Sequence, residues 1–275
     1  MLTDKFQIKD KVCIITGGAG LLGKCHVEAV LEGGGIPVLL GRTYETLCKV
    51  KEEFYEKYHK TVEIYQADVT HKEVLINVRE DLMKKYGHID ILINNAANNP
   101  KVEDNVDNFQ AVKFINFPKD IWEKDINVGL TGYFFCCQVF GEVMEVQKKG
   151  VILNISSDYG ILAPDQRLYQ KANIPMEEQI IKPITYSVVK HAIIGLTKYL
   201  AAYWGESGIR VNTLCPSGIY NNQDEEFLKK YIYNIPMGRM SVPDDYPGTI
   251  LYMISEASSF LNGATIVIDG GKSIW

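Results

Sequence analysis

Tyr186, Lys190 and Ser157 are the residues of this chain whose types and spacing could carry acid/base chemistry. On a helix, positions four residues apart lie on one face, so the phenol of Tyr186 and the ammonium of Lys190 can point into the same cleft. A free tyrosine titrates at about pH 10, and a nearby lysine charge favours the phenolate and lowers that pKa towards the range of general acid/base catalysis. Ser157 could hold the oxygen that Tyr186 protonates or deprotonates. By itself, the Tyr-x-x-x-Lys spacing fits an ordinary amphipathic helix equally well.

The composition is typical of a globular protein and excludes several other classes. The 275 residues are 46% hydrophobic and 23% charged, with a net charge of −5 and no basic cluster that would indicate a nucleic-acid-binding surface. No apolar run is long enough to span a membrane, and the charged N-terminus does not resemble a signal peptide. The six cysteines form no Cys-x-x-Cys pair. This favours reduced thiols in a cytoplasmic protein over disulfides or a metal site, and we expect no metal.

Short β-rich runs alternate with longer helical patterns along the whole chain. The predicted strands are 11–16, 36–40, 62–66, 89–93, 151–156, 209–214 and 264–268, and the predicted helices are about 21–33, 44–58, 71–86, 119–147, 184–206 and 244–255. Most strand candidates are near-continuous apolar runs, as in a sheet that is covered on both faces. The alternation predicts an α/β fold, with a doubly wound parallel sheet of seven strands in a single domain. Segments 97–118 and 161–183 interrupt it, and such long loops are usually functional.

A glycine-rich turn, Thr16 to Gly23, joins the first predicted strand to the first predicted helix. Glycines let the backbone approach a pyrophosphate, and the helix N-terminus favours its negative charge, so the turn predicts a dinucleotide site. Gly41-Arg42 closes the second strand, where an acidic residue would bind the ribose of NAD. Arg42 could instead pair with a 2′-phosphate, which favours NADP(H). NAD(H) remains the alternative if Arg42 is only a surface residue.

Further motifs follow in a fixed order. They are Asp68-Val69, Asn94-Asn95-Ala96-Ala97, Asn127 in Ile-Asn-Val, Ser157, Tyr186 with Lys190, Arg210-Val211-Asn212, Pro216-Ser217-Gly218-Ile219 and Asp269-Gly270-Gly271. With the glycine turn, they make the chain resemble the short-chain dehydrogenase/reductase family over essentially its whole length. The resemblance implies one Rossmann-fold oxidoreductase domain over 1–275, which interconverts an alcohol and a ketone with a nicotinamide cofactor.

The resemblance also implies a role for each matching residue. Tyr186 would be the acid/base, Lys190 would bind the nicotinamide ribose and lower the tyrosine pKa, Ser157 would orient the reacting oxygen, and Asn127 would hold a water that links Lys190 to solvent. The expected cofactor-binding residues are Gly17, Gly20, Leu22, Gly23, Arg42, Asp68, Val69, Asn95, Ala96, Tyr186, Lys190, Pro216, Ser217, Gly218 and Ile219. An intact tetrad favours an enzyme over the alternative, a nucleotide-sensing binding protein with the same fold.

Two features depart from the family pattern. Leu21 stands where the single-domain branch has a glycine, and the Gly17, Gly20 and Gly23 spacing is that of the longer nucleotide-sugar epimerases. The later motifs and the chain length nevertheless favour the single-domain branch. The second departure is the 29-residue separation of Ser157 and Tyr186, longer than is usual in the family. It predicts an insertion at about 161–183 beside the substrate.

The insertion and a later loop are rich in hydrogen-bonding groups. They contribute Asp165, Gln166, Arg167, Tyr169, Gln170, Lys171 and Asn173, and then Asn221-Asn222-Gln223. These groups suit a sugar or sugar-phosphate substrate, although solvated loops would have the same composition. The glycine turn, Ala-Pro-Asp in the insertion and Gly-Ile-Tyr-Asn-Asn-Gln resemble oxidoreductases of flagellin modification and nonulosonic-acid biosynthesis. A generic carbonyl or 3-oxoacyl reductase is the alternative within the family.

The resemblance further implies a homotetramer or homodimer that packs through the helices at 119–147 and 184–206. Their apolar faces carry Val128, Phe134, Phe135, Val139, Val143, Ile193, Leu196 and Leu200. A role in the core of one subunit explains the same residues. Neither a nucleic-acid nor a membrane partner is expected.

Overall fold

The computed structural model describes residues 1–98 and 113–275. Within these residues, seven strands run parallel in one sheet. In chain order the strands are β1 Val12–Thr16, β2 Ile36–Gly41, β3 Glu63–Gln66, β4 Ile91–Asn94, β5 Gly150–Ile155, β6 Ile209–Pro216 and β7 Thr265–Ile268. Their order in the sheet is β3-β2-β1-β4-β5-β6-β7. The strand order reverses between β1 and β4, and ligands of such sheets bind beyond the carboxyl ends of the strands at this point. The predicted seven-stranded, doubly wound fold is confirmed.

The helices also follow the predicted pattern, with two exceptions. They are α1 Leu21–Glu32, α2 Tyr44–Tyr58, α3 Lys72–Tyr86, α4 Lys119–Ile126, α5 Gly132–Gln147, α6 Ile184–Trp204, α7 Glu225–Tyr233 and α8 Pro247–Ile254. The predicted helical stretch over 119–147 is helical throughout, but it contains a π-helical segment, Asn127–Thr131, between α4 and α5. Helix α7 was not predicted. Most of the interrupting segment 97–118 lies outside the described residues.

Alternate residues of β1 reach two separate hydrophobic cores. Cys13 and Ile15 pack with apolar residues of α1, α2 and α8. Val12 and Ile14 pack on the other face with residues of α3, α5 and α6. Each fully buried aliphatic side chain contributes about 1.5–3 kcal/mol to folding. Helices therefore cover both faces of the sheet, as predicted, and the strand ends are held rigidly.

A buried polar network fixes α6 on the sheet. Asn94 donates to the Oδ1 atom of Asn154 at 2.9 Å, and Asn154 donates to the Oγ1 atom of Thr197 on α6, also at 2.9 Å. Thr213 of β6 also lies in the network, with its hydroxyl 2.7 Å from that of Thr197. Buried polar groups are costly when unpaired, so these bonds select one rotation of α6 about its axis. That rotation sets where Tyr186 and Lys190 point.

The insertion at 161–183 is folded rather than extended into solvent. The buried side chain of Gln179 hydrogen-bonds to the backbone N–H and C=O of Lys171 at 2.9 and 2.8 Å. Gln166 bonds in the same two-way manner to the backbone of Lys182. Leu168 packs with Tyr231 of α7 in a small separate apolar cluster. The insertion and α7 therefore form one wall beside the carboxyl ends of the strands.

No helix within residues 1–98 and 113–275 is long and apolar enough to cross a membrane.

Candidate active site

A cavity of about 600 Å³ lies beyond the carboxyl ends of β1, β4, β5 and β6. It brings together many of the predicted site residues: Leu22, Asn95, Ser157, Tyr186, Lys190, Pro216, Ser217, Gly218 and Ile219. This volume lies within the range of small-molecule sites, about 300–1,000 Å³. Three of the four expected catalytic residues therefore line one cavity.

Ser157 is placed by a tight turn directly after β5. A Cβ atom on Gly160 would lie 2.8 Å from the carbonyl oxygen of Lys190, so only glycine lets the turn pack this closely against α6. Ser156 strengthens the same contact by donating a hydrogen bond to that carbonyl at 2.7 Å. The hydroxyl of Ser157 is thereby brought next to Tyr186.

Tyr186 and Lys190 lie on one side of α6, as their spacing predicted. The Nζ atom of Lys190 lies 5.7 Å from the centroid of the Tyr186 ring and donates to the carbonyl oxygen of Ile155 at 2.9 Å. Burial lowers the pKa of Lys190 to about 8, because the charged form loses hydration. A second lysine, Lys182 from the insertion, has its Nζ atom 4.2 Å from the same ring centroid.

The expected lowering of the Tyr186 pKa is wrong for this structure. Burial raises the pKa of Tyr186 to about 12, the hydrogen bond with Ser157 acts in the opposite direction, and the charge of Asp158 raises the pKa further. Desolvation of a phenolate outweighs the influence of a lysine at this distance. Tyr186 therefore holds its proton at neutral pH.

Asn127 is not brought to the site. Its side chain is exposed and lines a separate surface depression with Trp122 and Lys124. Two positions further on, Gly129 is buried, and a Cβ atom there would lie 2.6 Å from Val189, the neighbour of Lys190. The side of the π-helical segment that packs on α6 therefore carries Gly129, and the exposed side carries Asn127. The structure gives no support to the role expected for Asn127.

The glycine turn has the geometry of a pyrophosphate cradle. Gly17 has a φ of +64°, and a Cβ atom on Gly23 would lie 2.4 Å from the Gly17 carbonyl oxygen, so the turn and the first turn of α1 pack without side chains. Helix α1 begins at Leu21 after Gly20, without a side-chain cap, so its first N–H groups have no partner within the helix. Leu21, in place of the usual glycine, lines the cavity with Leu22. These residues fit a dinucleotide phosphate.

Asn95 and Ala96 brace this turn from β4. The Thr16 hydroxyl accepts hydrogen bonds from the backbone N–H groups of Asn95 and Ala96 at 2.9 and 3.0 Å. The Asn95 amide donates to the carbonyls of Thr16 and Gly17, each at 3.1 Å. Beneath it, the Nε2 atom of His26 lies 3.2 Å from the Asn95 Oδ1 atom. Burial lowers the pKa of His26 to about 4, so this supporting residue, which sequence reasoning missed, is neutral at physiological pH.

Arg42, Asp68 and Val69 lie outside the cavity. Arg42 is exposed at the end of β2, whereas the Val69 side chain is buried in the core. Asp68 accepts two hydrogen bonds from Thr70, at 2.9 and 2.8 Å. Partial burial opposes ionisation of Asp68, but these bonds and the charges of His71 and Arg42 hold its pKa below the ordinary value. The structure therefore does not bring these three expected cofactor-binding residues to the cavity itself.

Polar groups line the side of the cavity away from the glycine turn. They include Tyr169, Gln170, Lys171, Lys182, Asn221, Asn222 and Gln223. Asp165 and Arg167 instead pair with each other at 2.9 Å, and neither they nor Asn173 lines the cavity. The prediction of a polar wall therefore holds for part of the insertion. Within the described residues, no group of three or more His, Cys, Asp and Glu side chains is arranged to hold a metal.

The sequence profile of a family described as enoyl-(acyl carrier protein) reductase matches residues 22–273. The chain belongs to the short-chain dehydrogenase/reductase family. It is an oxidoreductase that acts on CH–OH groups with NAD or NADP, and it is built as a single-domain member of the family.

Relatives in this family differ in substrate at similar sequence identity. An NAD-dependent glycerol dehydrogenase of Listeria innocua is 30% identical over 98% of this chain and 96% of the relative. A post-translational flagellin modification protein A of Campylobacter coli is 30% identical, over 96% of this chain and 99% of the relative. A 3-oxoacyl-(acyl-carrier-protein) reductase of Thermotoga maritima is 29% identical, over 98% and 100%.

Solved structures of other dehydrogenases superpose over nearly the full length. A short-chain dehydrogenase of Leptospira borgpetersenii with bound NAD+ has a TM-score of 0.78 and 29% identity, covering 97% of this chain and 94% of the other. A gluconate 5-dehydrogenase of Burkholderia cenocepacia in complex with NADP and tartrate has a TM-score of 0.85 and covers 100% of both chains; at 24% identity it supports the fold alone.

Proposed function

We propose that this short-chain dehydrogenase/reductase interconverts a secondary alcohol and a ketone on a polar, sugar-like substrate, with NADP(H) preferred over NAD(H). The observation that carries the proposal is the composition of the cavity. Ser157, Tyr186 and Lys190 meet on one side, and hydrogen-bonding groups of the insertion and of Asn221–Gln223 face them. A ligand rich in hydroxyl groups satisfies these donors and acceptors, whereas an apolar chain leaves them buried and unpaired.

The nicotinamide supplies or accepts the hydride when it is bound. In reduction, Tyr186 is the proton donor to the substrate oxygen, since its raised pKa keeps it protonated at neutral pH. Ser157 holds the same oxygen, and its position beside Tyr186 makes the two hydroxyls converge on one atom. Lys190 carries a positive charge below about pH 8, which stabilises the phenolate that remains after proton transfer.

The class of substrate is supported by charge as well as by polarity. Lys171 and Lys182 both line the cavity, and ammonium groups suit a carboxylate or a phosphate of an acidic sugar or sugar phosphate. The glycerol dehydrogenase among the relatives supports a polyol, and the flagellin modification protein agrees with the resemblance to oxidoreductases of flagellin modification. The 3-oxoacyl reductase is the main rival, and the polar wall counts against its acyl substrate.

A substrate panel tests the proposal. The purified chain is assayed with NADPH and NADH against dihydroxyacetone, ketohexoses, keto-sugar acids and their phosphates, and against a 3-oxoacyl thioester. Tyr186→Phe should reduce turnover at least about 100-fold, as expected for loss of a general acid, and leave cofactor binding within about twofold. Tyr199→Phe, at an exposed position of α6, is the matched control. The proposal is contradicted if the thioester is turned over faster than every sugar-like ketone, or if Tyr186→Phe retains turnover. Hydride transfer to any substrate excludes a purely nucleotide-sensing role.

Cofactor preference is tested at Arg42. A charge-assisted bond to the 2′-phosphate is worth about 1.5–3 kcal/mol, so Arg42→Ala should weaken NADPH binding roughly 10- to 100-fold. NADH binding should stay within about twofold, because NADH has no such phosphate. The control is Lys49→Ala, another exposed cation nearby on α2. Equal losses for both cofactors, measured by fluorescence titration, refute the assignment of Arg42.

We also place the enzyme in the cytoplasm. All six cysteines are free thiols, and five of them are buried. Reduced cysteines without disulfides are typical of that compartment.

A further inference from the structure

A buried ion pair lies directly behind Ser157. The Nζ atom of Lys272 is 2.7 Å from the Oδ2 atom of Asp158, and the two side chains are only 8% and 3% exposed. Asp158 follows Ser157 at the end of β5, whereas Lys272 stands in the short helical turn Lys272–Ile274 after β7. The rings of Tyr159 and Tyr231 cover the ammonium, each with its centroid 4.5 Å from Nζ. Burying such a pair is costly, and the cost is offset only when its hydrogen bonds are complete.

Both carboxylate oxygens of Asp158 are occupied by donors of the protein. The Oδ1 atom accepts from the Ser157 hydroxyl and from the backbone N–H of Tyr159, both at 2.8 Å. The Oδ2 atom accepts from Lys272 at 2.7 Å and from the Tyr231 hydroxyl at 3.4 Å. A carboxylate has about four acceptor positions, so the protein itself fills them. The arrangement indicates a task directed at Ser157 rather than at the substrate.

The same cluster connects several elements around the site. The Tyr231 hydroxyl accepts a hydrogen bond from the backbone N–H of Gly218 at 2.8 Å. Gly218 lies in the segment 216–219 after β6, which lines the cavity, and Tyr231 lies on α7. Asp158 and Lys272 therefore join the catalytic serine, this segment, α7 and the C-terminal turn in one polar unit.

The direction of the Ser157 hydroxyl follows from this contact. A serine has one proton to donate, and an ionised carboxylate only accepts, so Ser157 donates to Asp158. Its oxygen also accepts from the backbone N–H of Tyr159 at 3.2 Å, which leaves one lone pair for a donor in the cavity. An oxygen presented in this way accepts a hydrogen bond from an alcohol. A ketone oxygen can only accept, so it binds Ser157 only if the serine proton leaves its hydrogen bond to Asp158. That bond is charge-assisted and therefore stronger than the neutral bond that replaces it.

We propose that Asp158, held in place by Lys272, is a positioning residue that fixes Ser157 as a hydrogen-bond acceptor, so that the site binds the alcohol in preference to the ketone. This inference rests on the proposed function, because it concerns the same reaction. Asp158 and Lys272 act through Ser157 and need no contact with the reacting atoms.

Kinetics in both directions test it with the polyol–ketose pair that the wild type turns over fastest in the panel above. Asp158→Asn should raise KM for the alcohol at least about fivefold without raising KM for the ketose, because Ser157 is released to donate. Lys272→Met keeps the carboxylate that accepts from Ser157, so it should not raise KM for the alcohol relative to KM for the ketose. The double variant should resemble Asp158→Asn, since Lys272 acts through Asp158. Cofactor dissociation constants should stay within about twofold. The matched controls, Asp244→Asn and Lys229→Met, change exposed charges. Equal changes in both KM values overturn the inference.

A second measurement needs no substrate. Ser157→Cys places a thiol at the serine position, and iodoacetamide alkylates its thiolate, which a neighbouring anion disfavours. At pH 8, adding Asp158→Asn should speed alkylation at this position at least about fivefold, and adding Lys272→Met should slow it. Mass spectrometry locates the modified residue. Equal rates in the three chains overturn the inference; a wild type with no turnover, but with these rate differences, refutes the proposed function alone.

Discussion

The buried Lys190 and the half-buried Lys182 flank Tyr186, and their charge states control what the tyrosine can do. Burial raises the pKa of Tyr186 to about 12 and lowers those of Lys190 and Lys182 to about 8. The reason is the same in each case, since loss of hydration disfavours the charged form of an acid and of a base alike. Between about pH 8 and 12 the tyrosine is still a proton donor, but the ammonium that would stabilise its phenolate is lost.

The rate of ketone reduction should therefore fall as pH rises through about 8, because Lys190 gives up its proton there. Lys190→Arg keeps a cation at this position and should move the decline to higher pH in whatever activity it retains. Lys182→Gln is the matched control, as its ammonium has a similar pKa. The measurement is kcat against pH from 6 to 10 at saturating cofactor. If the decline disappears in Lys182→Gln and stays in Lys190→Arg, the group that titrates is Lys182 and the assignment to Lys190 is wrong.

At this scale the sequence predicted the residues of local motifs and missed those paired over long distances. Tyr186 and Lys190 are four residues apart on one helix, so their common direction follows from helix geometry alone. Asp158 and Lys272 are 114 residues apart, and only the order of β5, β6 and β7 in the sheet brings them together. The direction in which the pKa of Tyr186 shifts could not be predicted either, because the spacing of residues does not show how deeply a side chain is buried.

At the scale of elements, the contact between the π-helical segment and α6 decides which residue packs against Val189, the neighbour of Lys190. The pattern Ile-Asn-Val predicted Asn127 at the site, but the π-helical segment puts the buried Gly129 on that side. A two-residue difference in register is invisible to a motif and reverses a helix face. The strands were predicted to within two residues, since continuous apolar runs mark buried parallel strands. Helix α7 was missed because its nine residues follow a loop and its apolar face covers only the insertion.

From this contact we expect opposite effects of substitutions at Asn127 and Gly129. Asn127→Ala should keep kcat within about twofold, because its side chain is exposed and outside the cavity. Gly129→Ala puts a methyl group 2.6 Å from Val189, and such overpacking costs about 1–3 kcal/mol. We expect a lower Tm and a lower kcat as Lys190 is displaced.

The control for Gly129→Ala is Gly195→Ala on α6. A Cβ atom there has no neighbour within 4 Å among the described residues, so the substitution should leave Tm unchanged or raise it slightly. Thermal unfolding and steady-state kinetics of the three variants give the comparison. A large loss of kcat in Asn127→Ala with an unchanged Tm would restore the expected catalytic role of Asn127.

At the scale of the whole molecule, the outer faces of α5 and α6 carry more apolar surface than one subunit can bury. Val139, Ile193 and Leu200, expected on a subunit interface, instead lie in the core. The exposed side chains are Phe134 at 44%, Val146 at 81%, Tyr199 at 67% and Tyr203 at 62%. Tyr199 and Tyr203 stack on each other, with ring centroids 6.0 Å apart. Clustered exposed aromatic residues are characteristic of protein–protein interfaces.

We therefore expect the enzyme to form a homodimer or homotetramer through α5 and α6. Closed symmetry brings the same patch of two subunits together, so one substitution acts twice in each interface. Tyr199→Asp combined with Tyr203→Asp should lower the mass measured by light scattering to that of a smaller assembly, because two charges would be buried against their own copies. Tyr55→Asp is the control, since Tyr55 is 57% exposed on α2, which packs on the opposite face of the sheet. A wild type that is monomeric, or a double variant of unchanged mass, shows that this face is not the interface.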